Sequence, residues 1–177
     1  FPTNFPDEWF YYIAETGPFG TANVFYRTAL EAAFAGPLGA VVAGDQSVFT
    51  RRRVRADSIV GGTYTATDFY GVITVPGVPA ATIRGINFTE DFGIGVAGNF
   101  VLATTGPVGP FVTNTAGLTT APDGNIYLAN PGIAVTVTGG PVSNVFTLTG
   151  PDGTFTSNVF TIAGKLTSMQ VTPTLMK

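Results

Sequence analysis

The stretch Val48-Phe49-Thr50-Arg51-Arg52-Arg53-Val54-Arg55-Ala56 decides the fold class. Read with a period of two, Phe49, Arg51, Arg53 and Arg55 share one side, while Val48, Thr50, Arg52, Val54 and Ala56 share the other. This is the pattern of a β-strand, and it runs through residues 47–60. The same reading extends outward. Gly61-Gly62 turns the chain into strands at 63–67 and 70–75, Pro76-Gly77-Val78-Pro79 reads as a turn, and 81–88 reads as a further strand ending at Glu90-Asp91. Residues 93–102 are interrupted by glycine but still strand-like.

Upstream, residues 22–35 admit two readings. Thr28 followed by Glu31 matches a capping box, and Ala-Leu-Glu-Ala-Ala is helix-prone. With period two, Tyr26, Leu30, Ala32 and Phe34 share a parity, and a strand suits the rest of the chain better. Downstream, short apolar pieces at 126–128 and 133–138 lie between Pro-Gly turn signals. Ser143-Asn144-Val145-Phe146-Thr147-Leu148 then recurs as Ser157-Asn158-Val159-Phe160-Thr161-Ile162, with Gly150-Pro151-Asp152-Gly153 between, which suggests a hairpin within 141–163. A last alternating run covers 169–175, and its Pro173 suits an edge strand. The expected fold is all-β: a β-sandwich or partly closed β-barrel of about ten short strands with at most one short helix. Residues 1–20 read as an N-terminal extension and 21–177 as one domain.

Composition narrows the chemistry. The chain has 177 residues, no Cys and no His, which excludes disulfides, thiolate nucleophiles, zinc fingers and a Ser-His-Asp triad. Charged residues make up only 11% and the net charge is −3, so nucleic acid is not an expected partner. No uninterrupted apolar run reaches the length of a membrane-spanning helix. Such low charge suits a secreted protein, and better still one packed among copies of itself. The start at Phe1-Pro2 fits a removed signal peptide or a fragment.

Few residues are positioned by the sequence alone for chemistry. Arg51, Arg53 and Arg55 project together at spacings of ~6.6 Å along the strand. They suit an anionic glycan or phosphate, a solvated edge, or pairing with Glu31, Glu90 or Asp91 within or between subunits. The acids Asp45, Asp57, Asp68, Asp123 and Asp152 lack a calcium-loop pattern, so no metal or other cofactor is expected. Nothing selects a pair of carboxylates for glycoside hydrolysis. Lys165, beside Gly164 in an expected turn, does not suit a buried isopeptide bond. Asn87-Phe88-Thr89 is a glycosylation sequon. Trp9-Phe10-Tyr11-Tyr12 is the one dense aromatic cluster, and simple alternation puts Trp9 and Tyr11 on one face.

Some of these segments resemble a known group. They are Val54-Arg55-Ala56-Asp57, Gly62-Thr63-Tyr64-Thr65, Tyr70-Gly71-Val72, the run from Gly85-Ile86-Asn87-Phe88 to Asp91-Phe92-Gly93, and Gly106-Pro107-Val108-Gly109-Pro110-Phe111. In this order they resemble a group of uncharacterised secreted bacterial β-rich proteins, over residues 50–146. The group has His-Pro-Tyr-Gly where this chain has Asp68-Phe69-Tyr70-Gly71. Its later Asn-Phe-Phe strand is similar to the segment ending at Phe146. The resemblance implies an extracellular β-domain, and a structural corner in which Asn87 and Asp91 hold backbone groups. It implies no activity.

More loosely, the apolar termini resemble those of donor-strand surface filaments. The expected function is therefore a non-catalytic subunit of an extracellular, homopolymeric surface filament, assembled by terminal strand complementation. Phe1, Phe5, Trp9 and Tyr11 are the expected donor residues, with Arg51, Arg53 and Arg55 meeting acids of a neighbour. The alternative is a carbohydrate- or surface-binding module of a secreted protein, with glycans as partners.

Overall fold

The arginine-rich stretch lies within a thirteen-residue strand, the longest in the molecule, flanked by neighbours on both sides. The computed structural model describes residues 8–34, 36, 40–95 and 97–166. In chain order the elements are β1 (Glu8–Glu15), β2 (Phe25–Phe34), β3 (Gln46–Ser58), β4 (Gly62–Thr67), β5 (Val72–Val78), β6 (Thr82–Phe92), α1 (Phe100–Thr104), β7 (Thr113–Asn114), β8 (Thr119–Thr120), β9 (Ile126–Tyr127), β10 (Val137–Thr138), β11 (Phe146–Gly150), β12 (Gly153–Ser157) and β13 (Thr161–Leu166). They form a seven-stranded sheet in the order β6-β3-β2-β1-β13-β9-β8, a four-stranded sheet β12-β11-β4-β5, and the pair β10-β7. The sheets are open rather than closed into a barrel, giving an all-β sandwich.

The parity of β3 carries straight into packing. Val48, Thr50, Arg52, Val54, Ala56 and Ser58 are buried, while Arg51, Arg53 and Arg55 are half-buried on the outer face. Beside it, β2 is a strand, not a helix. Its register runs unbroken from Phe25 opposite Arg55 to Phe34 opposite Gln46. Helix propensity is worth only tenths of a kcal/mol per residue, and a strand paired on both edges overrides it. Between the sheets, Tyr26 of β2 lies at the centre of the core. Its ring stacks on Phe146 of β11 at 4.6 Å and meets Phe69 and Phe160 edge-on at 5.5 and 6.5 Å.

Several expectations change. The duplicated segment is not one hairpin. The hairpin is β11–β12, closed at Gly150 opposite Gly153, and the second copy leads into β13 in the other sheet. The two copies share a local turn instead. Ser143 Oγ accepts from Val145 N at 2.9 Å, Ser157 Oγ accepts from Val159 N at 3.4 Å, and each turn delivers a buried phenylalanine to Tyr26. The described residues of 93–102 do not form the expected strand. Gly93, Gly95 and Gly98 adopt left-handed backbone, and Asn99 Oδ1 then caps α1 by accepting from Leu102 N at 2.9 Å. Gly93 is required here, because a Cβ would stand 3.0 Å from the Ala103 backbone. Pro76-Gly77-Val78 stays within β5, and Lys165 lies in β13 opposite Tyr127 rather than in a turn.

The boundary expected at residue 20 is not a boundary. β1 is an inner strand, antiparallel to β2 on one side and to β13 on the other, and its Tyr12 and Ala14 belong to the core. Phe1, Phe5 and the run 169–175 lie outside the described residues.

Candidate functional site

An aromatic groove opens beside β1. The strand is bulged: Phe10 faces Glu31 and Tyr12 faces Leu30, so Tyr11 is the extra residue. The bulge breaks the simple alternation and brings Trp9, Tyr11 and Tyr12 to the same groove. Phe10 meets the Arg27 guanidinium, 5.3 Å from its ring centre, on the arginine-bearing face. Facing the three rings are Phe100 of α1, Phe111 of the following loop and Tyr127 of β9, around a cavity of about 860 Å³. Tyr11 meets Phe100 edge-on at 5.1 Å, and Tyr12 stacks on Phe111 at 4.2 Å. Trp9, Tyr11 and Phe100 remain 52%, 40% and 43% exposed, an unusual state for three large rings in one place. Tyr12 is buried. Its hydroxyl accepts from Val112 N, and burial together with the nearby Tyr70 holds its pKa well above the ordinary value.

α1 is fixed to the sheet from below. Thr50 Oγ1 donates to Ala103 O at 3.2 Å, and Ala103 is fully buried. The wall carrying Phe100 is therefore tied to β3. Lys165 and Thr113 supply polar groups along the groove.

The outer face of the large sheet carries the expected arginines, and they divide. Arg51 makes a two-pronged contact with Asp91 at 2.6 and 2.8 Å, and also reaches Glu31 at 2.8 Å and Glu8 at 3.4 Å. One guanidinium thus serves three carboxyl groups, from β6, β2 and β1. Glu31 is fully buried and its Oε1 has no hydrogen-bond partner. Burial outweighs Arg51, and with Glu8 adjacent it pushes the Glu31 pKa up to about 8. Arg53 donates only to Thr89 Oγ1 and Arg55 only to Asn87 Oδ1, both neutral acceptors.

Asn87 and Asp91 do not form the expected corner. They lie along β6, and their side chains accept from Arg55 and Arg51 rather than from backbone groups. The acid that does hold backbone in this way is Asp68, which accepts from Tyr70 N and Gly71 N at 2.8 and 2.9 Å. Asp68 also takes both prongs of Arg52 inside the core, at 2.9 and 3.0 Å. This buried pair was not among the expected sites, although its signal was present: Arg52 is the single charge on the apolar parity of β3. Phe100, Phe111 and Tyr127 gave no comparable signal, since nothing local places them opposite β1.

Among the described residues no acidic cluster has the arrangement to hold a metal ion, and no helix is long and apolar enough to cross a membrane. No protein-family model, curated protein or solved structure matches this chain. Function is therefore argued from the surfaces themselves.

Proposed function

We propose that the protein is an extracellular, non-catalytic binding module whose aromatic groove takes a neutral segment of a polysaccharide. The observation that carries this reading is the exposure of Trp9, Tyr11 and Phe100 together along one groove. Flat rings offer their electron-rich faces to the C–H faces of sugar rings, while Lys165 and the tyrosine hydroxyls meet sugar hydroxyls at the margin. The volume falls within the range of ligand sites, about 300–1,000 Å³.

Trp9 is the chain's only tryptophan, so its fluorescence reports directly on the groove. Titration with soluble neutral oligosaccharides is expected to shift the emission and shield it from iodide. Retention on insoluble neutral glycans is expected to fall roughly tenfold in Trp9→Ala, the scale of about 1.4 kcal/mol for one lost stacking ring. Unchanged emission and no retention across a glycan panel would sink this reading.

A second reading, the filament subunit, is favoured by a different observation. Among the described residues β6, an eleven-residue strand, is bonded to β3 on one side only, a long edge to which a strand from another copy can add. The strand that carries Trp9 and Tyr11 is paired into its own sheet, so donation of β1 itself would need its pairing with β2 to open. Negative-stain microscopy tests this: long fibres that vanish when a proline replaces Phe88 support it, and dispersed particles at all concentrations reject it.

A further inference from the structure

We propose a second binding site, at the opposite end of the large sheet from the aromatic groove, that takes an acidic sugar unit through Arg55 and Arg84. A cavity of about 380 Å³ lies there, lined by Asn23, Phe25, Arg55, Asp57, Ile83 and Arg84 among others. The two sites are separated along β2, where Phe25 opposes Arg55 at one end and Ala32 opposes Trp9 near the other. At ~3.4 Å per residue that is roughly 24 Å.

The distribution of charge carries the inference. Among the described residues, Arg27, Arg51 and Arg52 are all held by carboxylates. Arg53, Arg55 and Arg84 make no ion pair there, and all three fall at the same end of β3 and β6. Arg55 uses one N–H on the neutral Asn87, which leaves most of its fork of donors for a ligand. The one acid in the cavity, Asp57, accepts from Asn23 Nδ2 at 2.7 Å and from Arg84 N at 2.9 Å; these bonds and the Arg84 charge hold it ionised, so it offsets part of the Arg84 charge and leaves Arg55 the less neutralised guanidinium. That second bond fixes Arg84 in left-handed backbone, at φ 51°, an uncommon state for an arginine. The fold thus holds a guanidinium beside others of like charge and offers them no full neutralisation. Burial and the neighbouring Arg51 and Arg55 charges lower the pKa of Arg53.

A planar guanidinium pairs best with a two-oxygen anion, a carboxylate or a sulfate ester. Phe25 and the highly exposed Ile83 give such an anion an apolar wall, which suits a sugar ring and not a bare ion. The ligand class is therefore an acidic polysaccharide, engaged one charged unit at a time. This site does not depend on the groove.

The test is binding of dextran sulfate and of polygalacturonate, as separate arms for sulfate and carboxylate, to the full chain and to three variants. In Arg55→Gln/Arg84→Gln, retention of at least one polymer should fall tenfold or more, and its salt dependence should flatten. Arg55→Lys/Arg84→Lys keeps the charge without the fork and should recover only part. Trp9→Ala should bind both polymers as the parent does, so loss of the groove leaves this result readable. Preference for one arm identifies the anion. The proposal is overturned if the parent retains neither polymer, if the glutamine variant, folded by circular dichroism, binds like the parent, or if double-stranded DNA competes equally at matched charge.

Discussion

At the scale of single residues, the buried Arg52–Asp68 pair and the buried Glu31 behave in opposite ways. Arg52 and Asp68 neutralise each other inside the core with two parallel hydrogen bonds. Asp68→Asn leaves a buried guanidinium with a weaker partner and is expected to cost about 3–5 kcal/mol, read as a lower urea midpoint. Arg52→Met/Asp68→Leu removes both charges but also takes the acceptor from Tyr70 N and Gly71 N and the partner from Glu90, so it should recover only part of that loss. Glu31 instead keeps its proton. Its ordinary pKa is 4.5 and the folded value is about 8, so between these values the fold binds a proton that the unfolded chain has released. Stability from this group is complete below about 4.5 and is lost as pH rises towards 8. Asp57, Asp123 and Asp152 have lowered pKa values, so their contributions disappear only as pH falls below the ordinary 3.8. The urea midpoint should therefore be highest on the acid side of neutrality, and Glu31→Gln should flatten its decline towards alkaline pH. An unchanged slope would refute the assignment.

At the scale of elements, what decides each outcome is whether its partners are local. β3 was readable because its two parities differ chemically. β2 was ambiguous because alanine, leucine and glutamate favour helix, and only pairing with β1 and β3 resolves it. α1 is five residues long, too short for a periodic signal, so the sequence there reads as strand. Its cap makes a measurable link to function. Asn99→Ala should cost about 1 kcal/mol and loosen the wall holding Phe100, so oligosaccharide affinity should fall while the rest of the fold stays intact. The β11–β12 turn is tied to the β3–β4 connection and to β4: Asp152 accepts from Ile59 N, Val60 N and the Tyr64 hydroxyl. Asp152→Ala is expected to lower the midpoint of thermal or urea unfolding, because the Ile59 and Val60 N–H groups lose their acceptor while the Tyr64 hydroxyl keeps only Val60 O.

At the scale of the whole molecule, the sandwich class was legible and the groove was only half legible. Trp9 and Tyr11 were visible as a cluster. Their opposite wall comes from residues 100–131, and the bulge at Tyr11 has no marker in the sequence. The arginine face was read as one feature because spacing alone cannot show which charges the acids on β1, β2 and β6 will claim. β1 has its second neighbour only in β13, where Tyr12 meets Gly164. A ribosome has to finish nearly all of the described chain before the middle of the large sheet can close. Until then β1 has a partner on one edge only, so the large sheet stays divided. A chain cut before residue 161 should accordingly remain protease-sensitive in pulse-labelling, and extension through 166 should confer resistance in one step.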